Sequence, residues 1–284
     1  MSAALLGGTA RPTRARAIPG FGLSLGITLL WVGAIVAIPL AALALRPWEL
    51  GLTGVLASLS DERVLAALRL SFGAALLAAA IDLPLGLLLA WAIVRLRFPG
   101  RAALDAALDL PFALPTAVAG IALTALTAPN GWIGAPLAAL FGWKIAFAQA
   151  GVVYALMFVG LPFIVRTVEP VLRDLPLDAE EAAATLGATR GQTLRRVVLP
   201  ALLPALLTGF GLAFARAVGE YGSVIFIAGN LPMVTEIAPL LIVIRLEAFD
   251  YAGAAAVGLA MLLIAFAILL AINLAGRALR RGRL

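Results

Sequence analysis

The stretch Asp178-Ala-Glu-Glu-Ala-Ala-Ala-Thr-Leu-Gly-Ala-Thr-Arg-Gly-Gln-Thr-Leu-Arg-Arg-Val-Val-Leu-Pro200 is a polar interruption between two long apolar runs, and its spacing describes a folded object. Asp178 with Glu181 three positions on reads as a helix start, and Gly187 reads as that helix's end. Thr189 with Gln192 repeats the start signal. The pattern predicts two short helices joined at a glycine. The second places Leu194, Val197 and Val198 on one face, with Arg195 and Arg196 near its C-terminal end, where cations suit the helix dipole. A docking surface held outside a membrane is the expectation.

The flanking runs are membrane spans. Of 284 residues, 63% are hydrophobic and 13% charged, and the mean hydropathy is +1.07. Soluble domains are about 45–50% apolar, so this is an integral membrane protein, all-α, with roughly six spans of about 17–25 residues. They are expected at Phe21 to Leu45, Leu70 to Val94, Leu110 to Ala128, Ile145 to Val165, Ala201 to Ala228 and Tyr251 to Ala275. Pro111, Pro115 and Asp109 make the start of the third irregular. Residues 1–20 read as a tail, 21–275 as the membrane domain carrying the helices of 178–200, and 276–284 as a basic tail.

Most arginines fall in alternate gaps: Arg11, Arg14 and Arg16; Arg95, Arg97 and Arg101; Arg166, Arg173, Arg190, Arg195 and Arg196; Arg277, Arg280, Arg281 and Arg283. Those gaps are expected to be cytoplasmic, together with both termini and the 178–200 stretch. The other gaps hold Arg46, Arg63, Arg69, Lys144 and Arg245. The net charge of +6 follows from this asymmetry, and its dispersal over membrane flanks argues against nucleic-acid binding. The first apolar run is longer than a signal-peptide core of about 7–15 residues, so an uncleaved first helix is expected.

The chain has no cysteine and no histidine, which removes thiol chemistry and the commonest metal ligand and acid–base group. It also lacks a glycine-rich phosphate loop followed by Lys-Ser or Lys-Thr, so energy from ATP must come through a partner. In the gap from Arg46 to Arg69, a weak amphipathic pattern predicts a segment along the membrane surface. The turn at Pro129-Asn130-Gly131-Trp132, and Trp143 with Lys144, suit the membrane interface. A helix is expected from Glu236 to Phe249, capped by Thr235.

The spacing Glu181-Ala182-Ala183, three residues, Gly187, nine residues, Val197, one residue, Leu199-Pro200 resembles the EAA signature of permease subunits of ABC importers, with Val197 where isoleucine is usual. The resemblance implies a type I permease bundle whose helix pair enters a groove on the ATPase. Glu181 would face that ATPase, Gly187 would allow the turn, and Leu199-Pro200 would set the return into the membrane. Longer likenesses run through Leu110 to Gly120, Ala128 to Gly134, Gly219-Glu220-Tyr221-Gly222-Ser223 and Gly229 to Pro232. These resemble sulfate/thiosulfate importer permeases of the CysT type, with molybdate/tungstate permeases the nearest rival. What the resemblance implies is a non-catalytic subunit of a bacterial inner membrane importer. Its partners would be two ABC ATPase subunits carrying ATP and magnesium, a different second permease of the CysW type, an extracytoplasmic sulfate/thiosulfate-binding protein and lipid. No cofactor would bind this chain.

Within the fifth expected span, Arg216 and Glu220 are four apart and can meet on one helix face. They are candidates for an oxyanion pathway with Gly219 and Tyr221, or for a pair that fixes packing. Asp82, two residues before Pro84, has no basic neighbour within a turn. It is a further pathway candidate, a partner for Arg216, a protonated hydrogen-bonding group, or a group in a wet cavity. A proton-coupled transporter using Asp82 and Glu220 is the rival mechanism, and a non-transporting scaffold is the third reading.

Overall fold

A computed structural model describes residues 21–281; the basic tail at 1–20 and Arg283 lie outside these. The described residues are helical, with no strand among them. Among the described residues, five stretches are long and apolar enough to cross a membrane. The chain divides into two compact units at Leu45/Arg46.

The first unit contributes α1 (Phe21–Leu45), which matches the first expected span residue for residue and has no buried residue. In the second unit a 3₁₀ turn (Arg46–Leu50) leads into α2 (Gly51–Ser60) and then α3 (Glu62–Arg95). α3 starts eight residues earlier than expected because Asp61 caps it, accepting from the amides of Arg63 at 2.8 Å and Val64 at 3.3 Å. Its 34 residues span about 51 Å, well beyond the roughly 30 Å hydrocarbon core. The helix continues through Pro84.

α4 (Arg101–Leu108) and α5 (Leu110–Ala113) follow, then α6 (Thr116–Thr127). The third expected span is therefore divided. Pro115 disfavours helical geometry at the residue before it, and Leu114 is extended (φ −83°, ψ 135°). α6 alone, at 12 residues, reaches only about 18 Å.

α7 (Gly134–Phe141) precedes α8 (Gln149–Asp174). α8 begins four residues after the expected start because Phe147, at φ 62°, donates its amide to the Ile227 carbonyl at 2.7 Å. α9 (Asp178–Thr185) and α10 (Arg190–Thr193) come next. A π-helical turn (Leu194–Val198) then runs without a break into α11 (Leu199–Val218). The last elements are α12 (Val224–Ile227), α13 (Ala238–Glu247) and α14 (Tyr251–Arg281). The helix of α14 extends into the expected basic tail, through Arg281.

α3, α8 and α11 pack on one another and hold most of the core, including Val64, Ile93, Ile164, Leu172, Leu202 and Phe214, each at 0% exposure. α14 packs on α11, α13 and the 3₁₀ turn, while α12 packs on α6. Large apolar side chains such as Leu88, Leu263 and Phe266 are exposed on the outside of this bundle, the surface that lipid covers in a membrane protein.

The two ends of the bundle follow from α3. Arg95 at its C-terminus pairs with Glu180 of α9. Arg63 at its N-terminus binds Glu236, the Nε and Nη2 atoms each 2.7 Å from a carboxylate oxygen.

Candidate functional site

The 178–200 stretch forms its object by local rules. Asp178, Glu180 and Glu181 occupy the first turn of α9, where negative charge suits the dipole. Asp178 does not cap the helix as expected. It lies one residue inside, and Leu177 occupies the cap with no side-chain bond. The helix stops at Gly187 as expected, where φ is 79°, a conformation that costs a residue with a Cβ about 1–2 kcal/mol. Ala188 donates to the Ala183 carbonyl at 3.0 Å and Gly187 to that of Ala184 at 2.9 Å. Thr189 and Gln192 form the expected capping box, at 2.8 and 3.4 Å.

The second helix is not a separate body. The Leu199 amide reaches back five residues to the Leu194 carbonyl, and the chain stays helical from Arg190 to Val218. This widened turn lies immediately before Leu199-Pro200, and the Pro200 ring would crowd the Arg196 carbonyl in a regular α turn. So Val197, Leu199 and Pro200, all half-buried, sit in a continuous rod joining the surface to the membrane. Glu181, Ala182 and Gly187 are exposed and Ala183 is half-buried. Leu186 is 88% exposed.

Arg95 Nη2 lies 3.1 Å from Glu180 Oε1 and 3.1 Å from the Leu175 carbonyl, which ties α9 and its approach to α3. A cavity of about 490 Å³ lies between Leu88 and Trp91 of α3 and Ala184, Thr193 and Leu194 of the helix pair. Nearby, Arg166 holds Asp105 at 2.7 Å, Asp109 at 2.8 Å and Glu169 at 2.8 Å. Glu169 also pairs with Arg173. This network binds α4 and α5 to α8.

Deeper in the bundle, Arg216 and Glu220 meet as the spacing predicts, at 2.5 Å. Glu220 is buried, and its Oε1 accepts from both the amide and the hydroxyl of Ser223 at 3.0 Å. The fifth expected span breaks here. α11 ends at Val218, and the chain through Gly219, Glu220 and Tyr221 leads into α12. This break faces the one before α6. A Cβ on Gly120 would strike the Ser223 carbonyl oxygen, and one on Gly222 would strike Thr116 Oγ1.

Asp82 stands apart from this group. Arg216 pairs with Glu220, so the Asp82–Arg216 option fails. The Asp82 side chain is buried with neither oxygen hydrogen-bonded, packed where Gly160 of α8 brings the backbone close.

Several partners escape sequence reasoning. Glu236, 2% exposed, binds Arg63 across a separation of 173 residues; its sequence position marked it only as the start of an expected helix. Thr235 does not cap α13. Its hydroxyl accepts from the Leu231 amide at 2.9 Å, and the helix begins at Ala238, whose amide donates to Ser71 Oγ of α3 at 2.8 Å.

Residues 82–283 match the family model described as binding-protein-dependent transport system inner membrane component. Among curated proteins, the chain is 47% identical to the "Probable sulfate transport system permease protein cysT" of Zygnema circumcarinatum over 239 residues, covering 84% of this chain and 83% of that one. It is 46% identical to the "Sulfate transport system permease protein CysT" of Salmonella typhimurium over 258 residues, 91% of this chain and 93% of that one. Among solved structures, it resembles a chain of a bacterial ABC transporter involved in the import of the acidic polysaccharide alginate. The TM-score is 0.74 at 18% identity, covering 90% of this chain and 94% of that one, a likeness of fold alone. A second structure of an alginate ABC transporter, in complex with a periplasmic protein bound to alginate pentasaccharide, matches with TM-score 0.74 at 19% identity over 90% and 93% of the two chains. The chain belongs to the family of inner membrane components of binding-protein-dependent transport systems.

Proposed function

We propose that this chain is one permease subunit of an ATP-driven importer for sulfate and thiosulfate. The observation that carries the mechanism is the exposed α9–Gly187–α10 unit, clamped to α3 through Arg95 and continuous through a π turn with α11. A push on α9 reaches two core helices by covalent continuity and by an ion pair. Such a unit converts closure of a partner ATPase dimer into a shift between two packings of the bundle.

The substrate reading is supported by the identity to permeases named for sulfate transport. Two ABC ATPase subunits would hold ATP and magnesium, and this chain would hold neither. A second permease, different in sequence and of the CysW type, would complete the pathway. An extracytoplasmic binding protein would deliver the dianion. The arginine distribution supports a reading in which both termini and α9 lie on the cytoplasmic side of a bacterial inner membrane.

The test is reconstitution of the whole assembly into vesicles with ATP enclosed. ATP-dependent uptake of radiolabelled sulfate, competed by thiosulfate more strongly than by molybdate, is expected. Deleting Glu181 to Gly187 is expected to abolish it. Persistent uptake after the deletion defeats the coupling role, and uptake competed mainly by molybdate defeats the substrate reading.

A further inference from the structure

We infer that Arg69 is an anion-binding residue on the translocation route, receiving a tetrahedral oxyanion in a groove at the end of the bundle opposite α9. This rests on the reading of the chain as an oxyanion permease and names the residue that makes the first contact.

Most of the positive charge at this end of the bundle is already paired. Arg216 is neutralised by Glu220, Arg63 by the bidentate Glu236, and Arg46 lies beside Glu49. Arg245 donates to Ser58 at 2.6 Å and lies 3.8 Å from Asp250. A guanidinium held by a buried carboxylate is a poor anion receptor, since releasing it strands the carboxylate in a low-dielectric site. Among the described basic residues at this end, Arg69 and Lys144 have no carboxylate within ion-pair distance. Lys144 lies outside the groove.

Arg69 lines a cavity of about 580 Å³, room for about 20 waters at liquid density. Ala66, Arg69, Leu70, Gly73 and Leu77 form one wall, and this spacing is a single face of α3. Gln149, its side chain fixed to the Val234 carbonyl at 2.8 Å, stands on the opposite wall. No Asp or Glu lines the cavity. Arg69 lies seven residues into α3, about 10 Å from its start, past Arg63 and on the way toward the Arg216–Glu220 level. Arg69 is exposed and lines the groove without an acidic neighbour in its lining, so its field is available to a passing dianion. The guanidinium offers several donors in a planar fork that suits a tetrahedral oxyanion.

The same chemistry would suit the phosphate of a lipid headgroup, and the experiment separates the two. The chain contains no cysteine, so Arg69→Cys introduces its sole thiol when the partner subunits are also made cysteine-free. The whole assembly is reconstituted into vesicles of phosphatidylcholine and phosphatidylglycerol with saturating binding protein outside and ATP within.

Arg69→Cys is expected to lower sulfate uptake by about 10-fold or more while stimulation of ATP hydrolysis by the loaded binding protein persists. Aminoethyl methanethiosulfonate, which restores a cation at this position, is expected to recover most of the uptake. The anionic sulfonatoethyl reagent is expected to react and to recover none. Arg69→Lys should keep intermediate uptake. Equal uptake by Arg69→Cys and wild type overturns the inference while leaving the importer reading intact. A thiol that neither reagent modifies from the aqueous phase lies against lipid, and also overturns it. Absence of sulfate uptake by the wild-type assembly defeats the importer reading itself.

Discussion

Arg95 Nη2 lies 3.1 Å from both Glu180 Oε1 and the Leu175 carbonyl, so the last turn of α3 grips α9 and the linker before it at a single point. The two side chains are 16% and 23% exposed, which keeps the pair from being screened as a surface pair would be. Arg95→Gln and Glu180→Gln are each expected to loosen α9 and to raise the ATP hydrolysed per substrate imported. A double-mutant cycle on uptake should give a coupling energy of about 1 kcal/mol. Additive effects would remove this contact from the transmission route.

Arg63 and Glu236 make a second, opposite-end tie. The Glu236 side chain is 1% exposed and that of Arg63 40%, so removing the arginine leaves a buried carboxylate. Arg63→Ala is expected to cost about 3 kcal/mol, read as a lower unfolding temperature in detergent. The double variant Arg63→Met with Glu236→Leu should be more stable than Arg63→Ala alone, because it removes the stranded charge. A double variant less stable than the single would show that shape, not charge, dominates there.

The facing helix breaks demand glycine where backbones touch. Gly120→Ala places a methyl against the Ser223 backbone, which cannot rotate away as a side chain tip can. A loss of about 1–3 kcal/mol is expected. Gly219 lies in the same region with open space around it, so Gly219→Ala should change stability by less than about 0.5 kcal/mol. Equal tolerance of both substitutions would show that the two breaks do not pack as described.

The stop and restart at Gly187 and Thr189 can be probed by amide hydrogen exchange over residues 178–193. Gly187→Ala opposes φ 79° and should cost about 1–2 kcal/mol locally. Thr189→Ala removes the capping acceptor and should cost about 1 kcal/mol. Both are expected to speed exchange in α9 and α10 while the α3 core stays protected, and Thr189→Ser should restore protection.

Asp82 is buried without a hydrogen-bonding partner. Asp82→Asn keeps its shape and is expected to leave ATP-dependent uptake intact, with no response to an uncoupler at constant ATP. Loss of uptake together with uncoupler sensitivity would support proton coupling in place of ATP-driven import.

Much of this was legible from spacing alone. α1 falls where its apolar run lies, Gly187 and the Thr189–Gln192 box do what their residue types do, and Arg216 meets Glu220 because four residues on a helix bring side chains together. The third span misled because the apolar composition of Leu110 to Ala128 is continuous while its backbone is not. Pro115 marked the break, yet hydropathy counts proline with its neighbours. The fifth misled similarly at Gly219 to Ser223, where burial of Glu220 against Ser223 stabilises a turn that an apolar window does not register.

Local order, membrane residence and the form of the exposed helix pair were thus determined by the sequence, since each depends on residues within a turn or two of one another or on summed hydropathy. Only the tertiary structure decided which charges are spent and which remain free. Glu236 reaches Arg63 across 173 residues and Glu180 reaches Arg95 across 85, while Arg69 faces a groove with no acidic side chain. Electrostatic pairing depends on distance in space, and no periodicity along the chain encodes which distant carboxylate folding will bring within reach of which guanidinium.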